Sequence, residues 1–164
     1  MRRSQRLAVI IRELVERPGR VIPLSYFAER LEAAKSSLSE DLALVREAFA
    51  GNGLGQVETI PGAAGGVLYR PALTPVRMQE VAQGFCQRLA DPRRILAGGF
   101  LYLTDLVSDP FLLAEVAELF SSRWYQLNPN GFAPDYVVTV ETRGIPVALM
   151  TARALGVPLV IVRR

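Results

Sequence analysis

The chain has 164 residues, half of them hydrophobic, and its 19 basic and 16 acidic side chains give a net charge of +3, which suits one or two small domains with their own cores. It has no histidine and one cysteine, which excludes metal sites built on imidazole and an internal disulfide. Its apolar stretches are too short to span a bilayer and its basic N-terminus lacks the apolar run of a signal peptide, so we expect a cytoplasmic protein without a membrane partner.

Two amphipathic helices are predicted within the first 31 residues. Their apolar positions repeat at helical spacing. These positions are Leu7, Ile10, Ile11, Leu14 and Val15 in the first helix, and Leu24, Phe27, Ala28 and Leu31 in the second. Pro18-Gly19 separates the two helices, and Pro23 suits the first turn of the second because its missing N–H is no loss there.

A third helix is predicted to begin near Ser36, because Ser37 and Glu40 have the S-x-x-E spacing of a capping box. Its apolar stripe consists of Leu38, Leu42, Val45 and Phe49, and its other faces carry Ser39, Ala43 and Arg46. Small polar residues at the start of a helix suit a recognition helix, which reads the major groove of DNA from that end. An ordinary capped surface helix has the same pattern.

A β-hairpin with a glycine-rich tip is predicted after the third helix. Gly51, Gly53 and Gly55 end the helix, residues 57–60 form one strand and residues 67–69 the other. The turn between the strands, where small side chains allow a close approach of the backbone, comprises Pro61, Gly62, Ala63, Ala64, Gly65 and Gly66. Three helices followed by such a hairpin indicate a winged helix-turn-helix, although a plain loop is the alternative for the turn.

The N-terminus is basic, since Arg2, Arg3, Arg6 and Arg12 all precede the first acidic residue, Glu13. A basic arm of this kind neutralises phosphates and makes affinity for DNA fall with salt. A solvated charged terminus is the alternative interpretation.

A second domain is predicted to begin after a linker marked by Pro71 and Pro75, which gives domains of residues 1–72 and 73–164. We predict helices over residues 76–89, 110–127 and 145–155, and strands over 100–103, 136–141 and 158–162. This alternation favours a parallel α/β sheet. The runs VVTV and LVIV require cover on both faces, so we expect residues 71–164 to be the first part of a larger domain or to complete their sheet with another copy. Cys86 is predicted to be a buried small hydrophobe rather than a nucleophile.

The segment ETRGIP, residues 141–146, lies between a predicted strand and a predicted helix. The backbone N–H groups of such a turn can bind phosphate or pyrophosphate at the helix N-terminus. Tight turns of this type also use glycine without binding anything, so both interpretations stay open.

The chain resembles the purine operon repressors of Gram-positive bacteria along its whole length. The runs that carry the resemblance are RRSQRL, VIPLSYFAER, AAKSSLSEDL, PGAAGGV, ADPRRILAGGF, YLTD and VVTVETRGIP. The resemblance implies a winged-helix DNA-binding domain followed by the first part of a parallel-sheet domain with the type I phosphoribosyltransferase fold. It also implies a cytoplasmic homodimer that represses purine biosynthesis genes and senses phosphoribosyl pyrophosphate without acting as an enzyme.

The resemblance also assigns candidate effector residues. Thr142, Arg143 and Gly144 are similar to the pyrophosphate loop of the fold, and Phe100, Tyr102 and Asp105 lie in the segment that faces the effector. Phosphoribosyltransferase folds also carry paired acids followed by a Gly-Gly-Thr loop, which this sequence lacks. We therefore expect a truncated chain that does not bind the effector fully and has no other cofactor, catalytic residue or metal.

Three classes of function follow from these observations: a DNA-binding transcriptional regulator, which the sequence favours, a purine phosphoribosyltransferase fragment, and a dimerisation module whose winged helix binds protein. For the regulator, we expect phosphate contacts from the N-terminal arginines and readout by the third helix and the hairpin tip. The predicted DNA-binding residues are Arg2, Arg3, Arg6, Lys35, Ser36, Ser37, Ser39, Gly62, Ala63, Ala64, Gly65 and Gly66.

Overall fold

The computed structural model describes residues 1–62, 65–128 and 134–163. The chain divides into two units, Met1–Ala72 and Leu73–Arg164. Among its described residues, the first unit has three helices and two strands in the predicted order. They are α1 (Arg3–Glu16), α2 (Leu24–Leu31), α3 (Lys35–Asn52), β1 (Gln56–Ile60) and β2 (Gly66–Arg70). This unit is a winged helix-turn-helix.

The core of the first unit is built from the apolar stripes of the three helices and from both strands. Its buried members are Ile10, Leu14, Ile22, Phe27, Leu31, Leu38, Leu42, Val45, Phe49, Val57, Val67 and Tyr69. The predicted stripe of α3 is confirmed, because all four of its residues are buried. Val15 is the exception on α1: it is 42% exposed, so its predicted place on the buried face was wrong.

The predicted start of α3 is correct to within one residue, but the predicted capping box was wrong. The helix begins at Lys35, and Ala34 is its N-cap residue. Ser37 therefore lies inside the first turn, where its hydroxyl cannot take the N-cap role. No side chain caps this helix start.

The wing is the antiparallel pair β1 and β2, with Gln56 opposite Arg70 and Ile60 opposite Gly66. On its other edge β2 meets Ile22 through an isolated bridge to Val67, in which each residue donates its N–H to the other's carbonyl oxygen. This contact leaves no space for a side chain at Gly66, where an added Cβ would lie 2.2 Å from the Ile22 carbonyl oxygen. Ala63 and Ala64, at the predicted wing tip, lie outside the described residues.

A buried carboxylate joins α1 to α3. Asp41 of α3 is fully buried, and its two oxygens accept hydrogen bonds from Arg3 Nε at 2.9 Å and Arg6 Nε at 2.8 Å. Burial opposes ionisation of Asp41, but the hydrogen bonds and charges of Arg6 and Arg3 outweigh it, so its pKa lies below the usual value. Asp41 therefore stays ionised and holds the start of α1 against α3.

The described part of the second unit, residues 73–128 and 134–163, contains four helices and a parallel strand pair. Its elements are α4 (Pro75–Leu89), a 3-10 turn (Pro92–Arg94), α5 (Thr104–Ser108), α6 (Pro110–Leu127), β3 (Val137–Val140), α7 (Ile145–Leu155) and β4 (Leu159–Val162). Strands β3 and β4 run parallel, with Val137 opposite Leu159 and Val140 opposite Val162. The parallel pair and the predicted bounds of α6 and α7 are confirmed. No helix among the described residues is long and apolar enough to cross a membrane.

Two predictions for this unit were wrong. The predicted strand over residues 100–103 is absent, because Gly98 and Gly99 adopt positive φ and fold the chain into a local turn in which Leu96 N–H donates to the Phe100 carbonyl oxygen. Cys86 is exposed rather than buried, because the buried residue of α4 is Val81.

The aliphatic side chains of β3 and β4 stay accessible: Val138 is 62% exposed and Val140 50%. Within the described residues the parallel sheet has these two strands and no other. The expected completion of this sheet by further chain or by another copy stays a prediction.

Replacing Asp41 by asparagine is expected to lower the free energy of unfolding of the first unit by about 2 kcal/mol near pH 7, because it leaves two guanidinium groups without their carboxylate. The folded-state pKa of Asp41 is lowered, so the ion pairs stabilise the fold fully above the unfolded pKa of about 3.9 and progressively less below it. Thermal unfolding followed by circular dichroism should therefore show a gap between wild type and Asp41→Asn that narrows as the pH falls below about 4. A gap that widens on acidification would contradict this account.

Replacing Gly65 by alanine is expected to disorder the wing, because the added Cβ would lie 2.3 Å from the Ile60 carbonyl oxygen and 2.8 Å from that of Gly62. We expect a loss of about 1–3 kcal/mol, seen as faster amide hydrogen exchange in β1 and β2. Gly51→Ala is the matched control, since nothing lies within 4 Å of its added Cβ and alanine favours a helix over glycine by up to about 1 kcal/mol. Equal exchange in the two variants would show that the wing tolerates a side chain at Gly65.

Candidate nucleic-acid interface

The start of α3 presents polar groups to solvent. Lys35, Ser36 and Ser39 are exposed and Ser37 is half-buried. The Ser39 hydroxyl donates to the Lys35 carbonyl oxygen at 2.9 Å. Because the first N–H groups of a helix have no partner within it and no side chain caps α3, these donors are available to an external acceptor such as a phosphate.

An open groove of about 500 Å³ separates α3 from the wing. Ser39, Leu42 and Arg46 form its α3 side. The remaining lining residues are Leu24, Thr59, Ile60, Pro61, Gly62, Gly65, Gly66 and Val67. The groove therefore brings together one predicted recognition residue, Ser39, and the predicted wing residues Gly62, Gly65 and Gly66.

Arg46 reaches across this groove to β1. Its Nε donates to the Val57 carbonyl oxygen at 3.1 Å, and its Nη2 donates to the Thr59 hydroxyl at 2.6 Å. In the sequence Arg46 lies outside the apolar stripe of the helix, and no role was predicted for it. Its spacing of seven residues from Ser39 is the signal that puts both side chains on the same face.

The N-terminal arginines do not form a separate arm, because α1 begins at Arg3. Arg3 and Arg6 donate to Asp41, and Arg3 also lies 3.7 Å from a carboxylate oxygen of Glu40. The Arg6 side chain is only 17% exposed, so its first role is to hold α1 against α3. Arg2 precedes the helix and is exposed. The predicted phosphate contacts of all three stay predictions.

The predicted effector residues Phe100, Tyr102 and Asp105 lie on an exposed part of the second unit. Phe100 is 72% exposed and Tyr102 45%. Arg94 binds both carboxylate oxygens of Asp105, at 2.6 and 2.8 Å, and these hydrogen bonds lower the pKa of Asp105. Asp105 therefore anchors the turn through Arg94.

The predicted pyrophosphate loop connects β3 to α7. Glu141, Thr142, Arg143 and Gly144 form an exposed turn, and Gly144 is the N-cap residue of α7. The peptide between Glu141 and Thr142 is cis. A Cβ at Gly144 would lie 2.7 Å from the Thr139 hydroxyl oxygen, so a side chain there would displace that hydroxyl. Within the described residues no group of His, Cys, Asp and Glu side chains could hold a metal ion.

Comparison with known proteins matches both units. A family model described as bacterial purine repressor, N-terminal, matches residues 2–71. The purine biosynthesis transcriptional repressor PurR of Bacillus subtilis is 45% identical over 163 residues, which are 99% of this chain and 55% of the relative. The purine biosynthesis transcriptional activator PurR of Lactococcus lactis subsp. lactis is 37% identical over 164 residues, which are 100% of this chain and 59% of the relative.

A shorter match is to an enzyme. The xanthine phosphoribosyltransferase of Geobacillus thermodenitrificans is 32% identical over 81 residues, which are 48% of this chain and 39% of the enzyme. The chain spans a little more than half the length of its regulator relatives. The chain is similar to those regulators from end to end, and its residues 2–71 match the N-terminal domain of bacterial purine repressors.

Proposed function

We propose that this chain binds duplex DNA and regulates the transcription of purine biosynthesis genes without catalysing a reaction. The purine repressor domain over residues 2–71 supports the proposal, as do two relatives that are a repressor and an activator of purine biosynthesis. Both relatives are named as regulators of purine biosynthesis, but one is a repressor and the other an activator. We assign repression, as in the more similar of the two.

The observation that carries the proposal is the uncapped start of α3 beside the groove of the wing. Exposed Lys35 and the N–H groups of the first turn supply donors for phosphate oxygens. Ser36 and Ser39 are small enough to approach base edges. The wing glycines lie on the opposite side of the groove, where backbone can come close to the sugar-phosphate chain.

The roles of these residues in binding are proposed to differ. Lys35, Arg2 and the exposed part of Arg3 contact phosphates and set affinity, whereas Ser36, Ser37, Ser39 and the wing set sequence preference. A homodimer is proposed because two copies would read two half-sites. Sedimentation equilibrium of the chain alone tests the dimer.

We propose that the second unit is a phosphoribosyltransferase-like effector and dimerisation unit whose loop contacts the pyrophosphate of phosphoribosyl pyrophosphate. It is not proposed to bind the effector fully, because this sequence lacks the paired acids followed by a Gly-Gly-Thr loop. The similarity to xanthine phosphoribosyltransferase supports this assignment, as does the succession β3, loop, α7 and parallel β4. Thr142, Arg143 and Gly144 are proposed to contact the pyrophosphate, and Phe100, Tyr102 and Asp105 to line the same site.

The second candidate function is phosphoribosyl transfer to a purine base, which the similarity to an enzyme of that class favours. Incubation of the chain with phosphoribosyl pyrophosphate, magnesium and xanthine, guanine or hypoxanthine decides between the two. Release of pyrophosphate in proportion to nucleotide formed would establish the enzyme and overturn the regulator proposal as stated.

The regulator proposal is tested by fluorescence anisotropy with a duplex from a purine operon control region and a scrambled duplex of the same length. Wild type is expected to prefer the operon duplex. Lys35→Ala is expected to weaken binding to both duplexes equally and to flatten the slope of log affinity against log salt concentration by about one unit. Arg123→Ala, which removes an exposed charge from α6, is the control and should leave the slope unchanged. Equal wild-type affinity for both duplexes would overturn the proposal.

The effector assignment is tested with inorganic pyrophosphate, which probes the loop without requiring contacts to the ribose. Isothermal titration is expected to show that Arg143→Ala binds pyrophosphate about tenfold more weakly, because a hydrogen bond to a charged group is lost. Arg153→Ala is the matched control, because it removes an exposed charge from the last turn of α7, the helix that follows the loop. Indistinguishable isotherms for wild type and Arg143→Ala would remove Arg143 from the site.

A further inference from the structure

Arg46 is the one long basic side chain among the described residues that line the groove. It is exposed, yet its guanidinium is hydrogen-bonded to the wing. It shares the groove wall with Ser39 and Leu42. Its guanidinium joins two kinds of acceptor on β1, the backbone carbonyl of Val57 and the side-chain hydroxyl of Thr59. We call this set of three residues the Arg46 clamp.

The clamp fixes α3 and the wing at a defined separation. A guanidinium is planar and presents its donors at fixed angles, so two hydrogen bonds from neighbouring nitrogens constrain both the distance and the orientation of the partner strand. Strand β1 is an edge strand whose ladder partner is β2, and the clamp supplies contacts on the α3 side. The position of the hairpin tip relative to Ser36 and Ser39 therefore depends on Arg46 together with the packing of the wing strands in the core.

We propose that Arg46 is a positioning residue that sets sequence specificity by fixing the width of the groove between α3 and the wing. This inference rests on the proposed DNA-binding function. Readout by two elements requires both to meet their base edges or phosphates in the same register of the duplex. Without the clamp the wing would be held to α3 by apolar packing, through core residues such as Val57 and Val67. The domain would then keep its charge contacts with DNA but lose that register, so the clamp should affect the preference between duplexes rather than the salt dependence of binding.

A direct phosphate contact is the competing role for Arg46, because Nη1 makes no hydrogen bond within the described part of the chain. Thr59 separates the two roles. Thr59→Val removes the acceptor for Nη2, keeps the shape of the side chain and changes no charge, and Thr59 is exposed, so the fold should tolerate the change. Thr59→Ser keeps the hydroxyl and is the conservative control.

The experiment measures affinity for the operon and scrambled duplexes over a series of salt concentrations for wild type, Arg46→Ala, Arg46→Lys, Thr59→Val and Thr59→Ser. Arg46→Ala and Thr59→Val are expected to lower the preference for the operon duplex by about fivefold or more, with the salt slope unchanged. Thr59→Ser should retain the wild-type preference. Arg46→Lys should fail to restore it, because an ammonium group cannot replace the two directed donors.

Two results would overturn the inference. In the first, Thr59→Val keeps the wild-type preference while Arg46→Ala flattens the salt slope by about one unit, which identifies a phosphate contact. In the second, both variants keep the wild-type preference. Amide hydrogen exchange without DNA provides a separate readout, in which β1 should exchange faster in Arg46→Ala and Thr59→Val.

The exchange measurement also distinguishes failure of the clamp from failure of the proposed function. Unchanged β1 exchange in both variants shows that the clamp does not hold the wing, whatever the chain binds. Faster β1 exchange together with a wild-type chain that prefers no duplex shows that the clamp exists but that the proposed function, and with it the role of Arg46 in specificity, is wrong.

Discussion

The arrangement of the first unit depends on the burial of one face of α3, which leaves another face of the helix to line the groove. Leu38, Leu42, Val45 and Phe49 are all buried, and each such side chain contributes about 1.5–3 kcal/mol when it leaves water. That packing fixes the rotation of the helix about its axis. Ser39 and Arg46 consequently lie on the wall that faces the wing, and the uncapped N-terminus opens beside the same groove. The proposed roles of the α3 residues follow from that rotation.

Ion pairs with buried carboxylates account for much of the basic charge of the first unit. Asp41 binds Arg3 and Arg6. Buried Glu13 binds Arg17 and Arg30, both at 3.0 Å, and accepts a hydrogen bond from the Tyr26 hydroxyl at 2.9 Å. These arginines stabilise the packing of α1 against α2 and α3, so their charges are already paired within the unit. The net charge of the sequence is therefore a poor guide to its DNA-binding surface. A better guide is given by Arg2 and Lys35, which are exposed and form no ion pair within the described residues.

The helices of this chain could be predicted from their periodic apolar residues. The hydrogen bonds and ion pairs between side chains of different elements could not be predicted. The stripe of α3 and the bounds of α6 and α7 follow from spacing and from flanking Pro and Gly. The predicted capping box at Ser37 was wrong because the helix begins earlier, at Lys35, and its N-cap residue Ala34 has no side chain that can cap it. The strand over residues 100–103 was wrong because two glycines with positive φ and the Arg94–Asp105 pair formed a turn instead. Sequence gave no indication that Arg3 and Arg6 share Asp41, or that Arg46 reaches β1, since these contacts join residues distant in the chain.

The central claim is that the groove between α3 and the wing is the surface that contacts DNA. Mapping amide chemical-shift changes on the full chain during titration with the operon duplex tests it most directly. The account predicts that the largest changes fall on Lys35, Ser36, Ser39 and the strand ends next to the wing tip, and that they saturate together. Changes centred instead on Leu7, Ile11 and Leu44, which line a separate groove between α1 and α3, would contradict it.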